Sequence, residues 1–174
     1  VTYKLYSADA DDIKDRVNKG LLDICLLTEP VDVDKYDFIR IPQKERWGVI
    51  MRKDSPLAQE RSVAPEDLLA YPILIPGRAL VQNELDNWFG DAYGALHIIG
   101  RYNLIYNAAI LVEAGVGVAL CLEKLVPVRE ETELCFRTLA PALETGVVIA
   151  WKKNQIFPPA VAKFIELLKN AFRA

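Results

Sequence analysis

The sequence is poor in the residues that do chemistry. It has one histidine, His97, and three serines, Ser7, Ser55 and Ser62. His97 sits inside an apolar stretch, where a histidine is expected to be structural. None of the serines stands in a G-x-S-x-G elbow, so a Ser-His-acid triad has no support. The three cysteines, Cys25, Cys121 and Cys135, each lie in an apolar run and form no C-x-x-C pair. They are expected to be buried thiols in a reducing cytosol. Arg137, two residues after Cys135, is the one nearby basic group that would favour a redox role. No His/Cys/Asp cluster has metal-ligand spacing and no G-x-x-x-x-G-K-[ST] loop exists, so no metal and no other cofactor is expected. The net charge is −3 with no run of Lys and Arg, which argues against a grip on nucleic acid by this segment. No stretch stays apolar for about 18 residues, so no membrane partner is expected. No basic-then-apolar leader opens the chain, and a cytoplasmic location follows as an expectation.

What the chain has is apolar material for a core. Hydrophobic residues make up 52% of it and run from Tyr3 to Phe172, enough for one domain or two small lobes. Val1 to Tyr6 alternates like a strand. Ala8 to Lys19 carries acids in its first turn, Ile13, Val17 and Leu21 on one face, and Gly20 as a stop, which predicts a helix. Leu22 to Leu27 is nearly continuously apolar, as for a strand buried on both faces of a parallel sheet. Phe38–Ile41 and Trp47–Met51 suggest two strands around a polar turn at Gln43–Arg46. Further strands are expected at Ile73–Ile75, His97–Tyr102, Val116–Leu122, Leu134–Thr138 and Val147–Lys152. Helices are expected near 65–67, at Val81–Phe89, at Leu104–Ala114 and after Pro158-Pro159. In the last, Val161, Phe164, Ile165, Leu168, Ala171 and Phe172 form an apolar stripe. Alternation of strands and helices predicts an α/β fold.

Ala114 to Ala119, AGVGVA, is not a dinucleotide fingerprint, because the helix precedes the glycines and the strand follows them. Gly115 fits a helix C-cap and Gly117 a point of close strand packing. Better ligand-binding candidates are turns where an apolar strand ends and a helix begins, since ligands of α/β sheets collect at the carboxyl ends of strands. Pro76, Gly77, Arg78 and Ala79 form one such turn and Asn103 another. Arg78 and Arg101 are placed to add positive charge for a carboxylate. Thr28, closing the apolar run 22–27, supplies a hydroxyl. For each of these the plain alternative is a turn residue or a solvent-facing charge.

Four stretches together resemble the effector-binding domain of LysR-type transcriptional regulators. They are Gly20–Leu27 (GLLDICLL), Val49–Ala58 (VIMRKDSPLA), Val63–Pro72 (VAPEDLLAYP) and Leu111–Leu120 (LVEAGVGVAL). The resemblance implies two Rossmann-like α/β lobes around a central ligand cleft, as in type 2 periplasmic binding proteins, with the chain crossing between lobes twice. Carried over, lobe one is 1–51 plus 146–174 and lobe two is 52–145. It implies that the family's first strand and helix precede Val1, and that DNA is bound only through an N-terminal winged helix-turn-helix absent from this chain. It implies a small-molecule effector such as a carboxylate metabolite, touched by Thr28, Pro76, Gly77, Arg78, Ala79, Arg101 and Asn103. A homodimer or higher homo-oligomer is also implied, and the edge at Thr2–Tyr6 is the expected contact. Two other classes share the fold. A transporter's solute-binding protein needs an export leader, and an enzyme needs a matched acid and base or a nucleophile, which this sequence does not display.

Overall fold

The computed structural model describes residues 1–126, 128 and 131–172. In chain order its elements are α1 (Ala10–Asn18), β1 (Cys25–Thr28), β2 (Tyr36–Arg52), β3 (Ser62–Val63), β4 (Pro72–Pro76), α2 (Ala79–Phe89), β5 (His97–Tyr102), α3 (Ile105–Glu113), β6 (Val118–Leu122), β7 (Leu134–Leu139), β8 (Glu144–Lys152) and α4 (Pro159–Ala171). They gather into two compact units, Val1–Glu45 with Thr145–Ala174, and Arg46–Glu144. Strands β2 and β8 each give residues to both.

In the first unit, α1 begins where the Asp9 carboxylate accepts from the N–H groups of Asp11 and Asp12, both at 3.0 Å. This satisfies two amides that a helix start leaves without intrahelical acceptors. The helix ends at Gly20, whose φ of +72° suits glycine. There the Leu21 N–H donates to the Arg16 carbonyl at 2.9 Å and the Gly20 N–H to Val17 at 3.0 Å, closing a Schellman motif. Ile13 and Val17 pack on Cys25, Leu27, Tyr36, Val148 and Ala150. Strand β1 pairs antiparallel with β8, from Cys25 opposite Ala150 to Thr28 opposite Val147, and β8 lies beside β2.

Several sequence expectations for this unit are corrected. Residues 1–6 form no strand, and Val1, Tyr3 and Leu5 are exposed. Alternation creates a strand only where a neighbour accepts its hydrogen bonds, and no described strand pairs there. The proposed dimer edge at Thr2–Tyr6 therefore has no strand to build on. Strand β1 is shorter than expected and buried on one face only, with Leu26 exposed. Among the described residues it pairs only with β8, antiparallel, and α1 packs on its Cys25 and Leu27 face. The apolar stripe of α4 is wider than the surface it meets: Ile165 is buried, but Phe164 stays exposed. Strand β2 is one continuous strand of 17 residues, without the turn expected at Gln43–Arg46. Polar residues there mark exposure of a strand rather than a break in it.

The second unit holds a sheet in which β5, β4 and β6 run parallel, β2 joins antiparallel to β6, β7 antiparallel to β2, and β3 parallel to β7. Its two faces carry separate cores. Trp47, Val49, Met51, Ile73, Ile75 and Leu120 meet Leu85 and Phe89 of α2 on one face. Ile50, Leu74, Ala119 and Cys121 meet Ala108, Ala109 and Val112 of α3 on the other. All five residues of β6 are buried, as its unbroken apolar sequence requires. Gly115 ends α3 with φ of +79°, and Val116 N–H donates to Leu111 at 3.0 Å, so AGVGVA is a Schellman stop followed by a strand.

Candidate functional site

Strands β4 and β5 end side by side. Pro76 stands opposite Tyr102, and the Gly77 N–H donates to the Tyr102 carbonyl at 2.8 Å. A Cβ on Gly77 would lie 3.3 Å from that carbonyl and 3.9 Å from the Arg101 Cβ, so the two turns touch and a side chain here would be tight. Six residues singled out from sequence, Pro76, Gly77, Arg78, Ala79, Arg101 and Asn103, are thus brought together at one carboxyl edge of the second unit. Thr28 belongs to the first unit, half-buried at the end of β1.

Two helices start at this edge. Helix α2 begins at Ala79 with Arg78 as its N-cap residue and no side-chain cap hydrogen bond. Helix α3 begins at Ile105 after Leu104, again with no side-chain cap. The first amides of a helix lack intrahelical acceptors and sit at the positive end of the helix dipole, so they suit a carboxylate or carbonyl oxygen. Arg101 and Asn103 are exposed, and Arg78 is half-buried and interacts with neighbouring groups. The Asn103 side-chain oxygen accepts from the Leu104 N–H at 2.9 Å, which fixes the turn into α3.

Two positioning residues escaped the sequence. The Gln82 amide donates to the Gly77 carbonyl at 2.8 Å and approaches the Pro76 carbonyl at 3.4 Å, tying the turn to the helix it precedes. A glutamine one turn into a helix that starts after Pro-Gly is the only signal available, and it is weak. Tyr102 sends its hydroxyl across to the Leu120 carbonyl at 2.5 Å, and burial pushes that hydroxyl's pKa upward. Nothing in the sequence marked its long reach.

The structure corrects the placement of His97, which is exposed rather than built into the core. It opens β5 opposite Pro72, five residues from Tyr102, about 16 Å away at 3.3 Å per residue. It therefore has no part in this edge. Cys25, Cys121 and Cys135 are all buried and free. Cys121 faces the α3 core and Cys135 the α2 core. They sit two strands and three residues apart across β2, about 14 Å by strand geometry, beyond disulfide reach. Burial pushes the Cys25 thiol up to about 11 and Cys121 up to about 12. We expect a disulfide-selective oxidant to form no Cys121–Cys135 bond, and native labelling with a thiol reagent at pH 8 to be far slower than labelling in denaturant. Because the folded state favours the neutral thiols, stability is expected to fall as pH rises from the ordinary thiol value near 9 toward those raised values. Fast native labelling of two thiols at pH 8 would contradict this account.

Among the described residues no group of three metal-ligating side chains gathers, and no helix is long and apolar enough to cross a membrane. The LysR substrate binding domain model matches residues 1–173. The chain is 23% identical over 173 residues to an uncharacterized HTH-type transcriptional regulator, YvbU, of Bacillus subtilis, covering 98% of this chain and 57% of the relative. It thus spans little more than half the length of that protein. Among solved structures it is similar to HinK, a LysR family regulator from Pseudomonas aeruginosa, with a TM-score of 0.76 at 16% identity over 97% of this chain and 59% of HinK. The effector binding domain of QuiR in complex with shikimate gives 0.81 at 15% identity, covering 99% and 82%. The Synechocystis PCC6803 CcmR regulatory domain in complex with 2-PG gives 0.74 at 15%, covering 95% and 80%.

Proposed function

The chain belongs to the LysR substrate binding domain family, and on that premise we propose that it is the small-molecule-sensing part of a bacterial transcriptional regulator whose DNA-binding winged helix-turn-helix lies outside this chain. The effector is a small carboxylate metabolite, and it is held at the edge where β4 and β5 end. The observation that carries this is the contact of the two turns at Gly77 and Tyr102, which brings together the segments leading into α2 and α3, with Arg78 and Arg101 in them. Thr28 is the contributor from the first unit that the family resemblance implies. The protein is a cytoplasmic sensor and not an enzyme: its one histidine lies a strand's length from this edge, and the edge offers charge and amide donors rather than an acid–base pair.

It acts as a homodimer. In place of residues 2–6, the contact is assigned to the outer strand β5 and the outward face of α3, where Tyr106 and Ile110 are exposed one helical turn apart.

A thermal-shift screen tests the reading, with shikimate, 2-phosphoglycolate and a panel of small carboxylates. A ligand at 100 times its Kd stabilises the folded state by about 2.7 kcal/mol. We expect at least one carboxylate to raise the Tm, and Gly77→Val and Thr28→Val to reduce that rise while near-UV circular dichroism stays native. Retention of the full shift in both variants would move the effector elsewhere. The same samples in light scattering are expected to be dimeric, and Ile110→Glu to shift them toward monomer. A monomeric wild type at high micromolar concentration would remove the dimer from the reading.

A further inference from the structure

On the α3 side of the second unit, β6, β2 and β7 carry a recess of about 490 Å3, bounded by Ile50, Cys121, Val126 and Phe136 with Lys124 and Arg137 at its polar end. That volume falls in the range of small-molecule sites, about 300–1,000 Å3. Beyond Phe136 lies a polar recess of about 450 Å3 that includes Gln59, Arg61 and Thr138, and the two share Glu123, Phe136 and Arg137. The aromatic wall between them depends on Gly48. A Cβ there would fall 2.2 Å from the Phe136 Cζ and 2.7 Å from its Cε2, so the ring rests directly on the backbone of β2. The ring is half-buried, packed against the core around Ile50 and Cys121.

The charges around the ring favour an anion. Glu123 is occupied by Arg46, whose guanidinium donates to its two oxygens at 3.0 and 3.1 Å. Arg137 is held by donating to the backbone carbonyls of Glu60, Phe136 and Ala58 at 2.7, 2.9 and 2.6 Å. Those acceptors are neutral, so they fix the guanidinium without cancelling its charge. Arg61 and the exposed Lys124 add two further cations, against Glu60 and Glu123.

We propose that these joined recesses are a second small-molecule site, separate from the turn at Gly77, which takes a planar apolar anion. The ring of the ligand lies against Phe136, Ile50 and Val126, where aromatic and aliphatic contact rewards a flat apolar group. Its anionic group is directed to Lys124 and Arg137. No residue of β4, β5 or α2 lines either recess.

The test uses anilinonaphthalene sulfonate, a planar apolar anion whose fluorescence rises on transfer from water. Wild-type chain is expected to bind it saturably at one site. Val126→Trp fills the recess and Lys124→Glu reverses the charge at its mouth, and each is expected to weaken binding about tenfold or more. Lys124 is exposed, so its variant keeps the fold even where the tryptophan does not, and near-UV circular dichroism checks both. Phe164→Ser and Leu5→Ser, which remove exposed apolar groups in the first unit, are expected to leave the affinity unchanged. Absence of saturable binding, binding indifferent to Lys124→Glu in a native fold, or binding lost in Phe164→Ser or Leu5→Ser overturns the site.

Discussion

Replacing Gly117 by valine is expected to destabilise the second unit by about 3 kcal/mol or more. A Cβ at this position would lie 2.3 Å from the Pro72 carbonyl oxygen and 3.0 Å from its carbon. These are backbone atoms at the start of β4, which is locked to β6 through Ile73 opposite Val118 and Leu74 opposite Ala119. No side chain can rotate away to relieve the contact. Overpacking a core costs about 1–3 kcal/mol when side chains absorb it, and a clash with fixed backbone stands at the upper end or beyond. Against a total stability of about 5–15 kcal/mol, that is a large share. Urea unfolding followed by far-ultraviolet circular dichroism measures it. Gly117→Ala should lower the midpoint clearly and Gly117→Val further. An unchanged midpoint for the valine variant would mean that β4 and β6 are not in this register.

The second large effect is expected at Leu85. Its side chain has no solvent exposure and anchors α2 over Ile73, Ile75 and Leu120. Truncation to alanine removes the buried methyl groups and leaves a cavity that a closely packed sheet refills only in part, at a cost of about 2–5 kcal/mol. Leu80, on the same helix but 47% exposed, provides the comparison, and its alanine variant should stay within about 0.5 kcal/mol of wild type. The contrast has a functional side. Helix α2 carries the turn at Pro76–Ala79 on its amino end, so loosening its anchor should also weaken effector binding under conditions where the fold persists. Equal midpoints for Leu85→Ala and Leu80→Ala would show that α2 is not seated on that core.

The elements that the residues announced most clearly are those whose signal is local. Helix stops at Gly20 and Gly115 were legible because the left-handed backbone they adopt is open to glycine at little steric cost. Strands β4 and β6 were legible because unbroken apolar runs bounded by Pro or Gly leave few alternatives. Membership of the LysR family was legible from four short stretches, since their order along the chain is harder to meet by chance than any one of them. The candidate edge was legible only as separate turns. That Pro76 stands opposite Tyr102 is a fact of strand register, and no residue near either turn encodes it.

Sequence by itself therefore determined the class of the fold, the places where helices stop, the scarcity of catalytic residues and the family. These depend on backbone preference and hydrophobic periodicity, which act within a few residues. Tertiary structure alone decided that residues 1–6 stay unpaired, that β2 runs unbroken through its polar stretch, that His97 is exposed, and that Cys121 and Cys135 face opposite cores. It alone decided that Phe136 lies on Gly48, making the wall of a recess 88 residues away in sequence from the glycine that permits it. Each of these outcomes is set by which strand lies alongside which, and pairing partners are chosen by the whole chain's burial rather than by the segment that carries the residue.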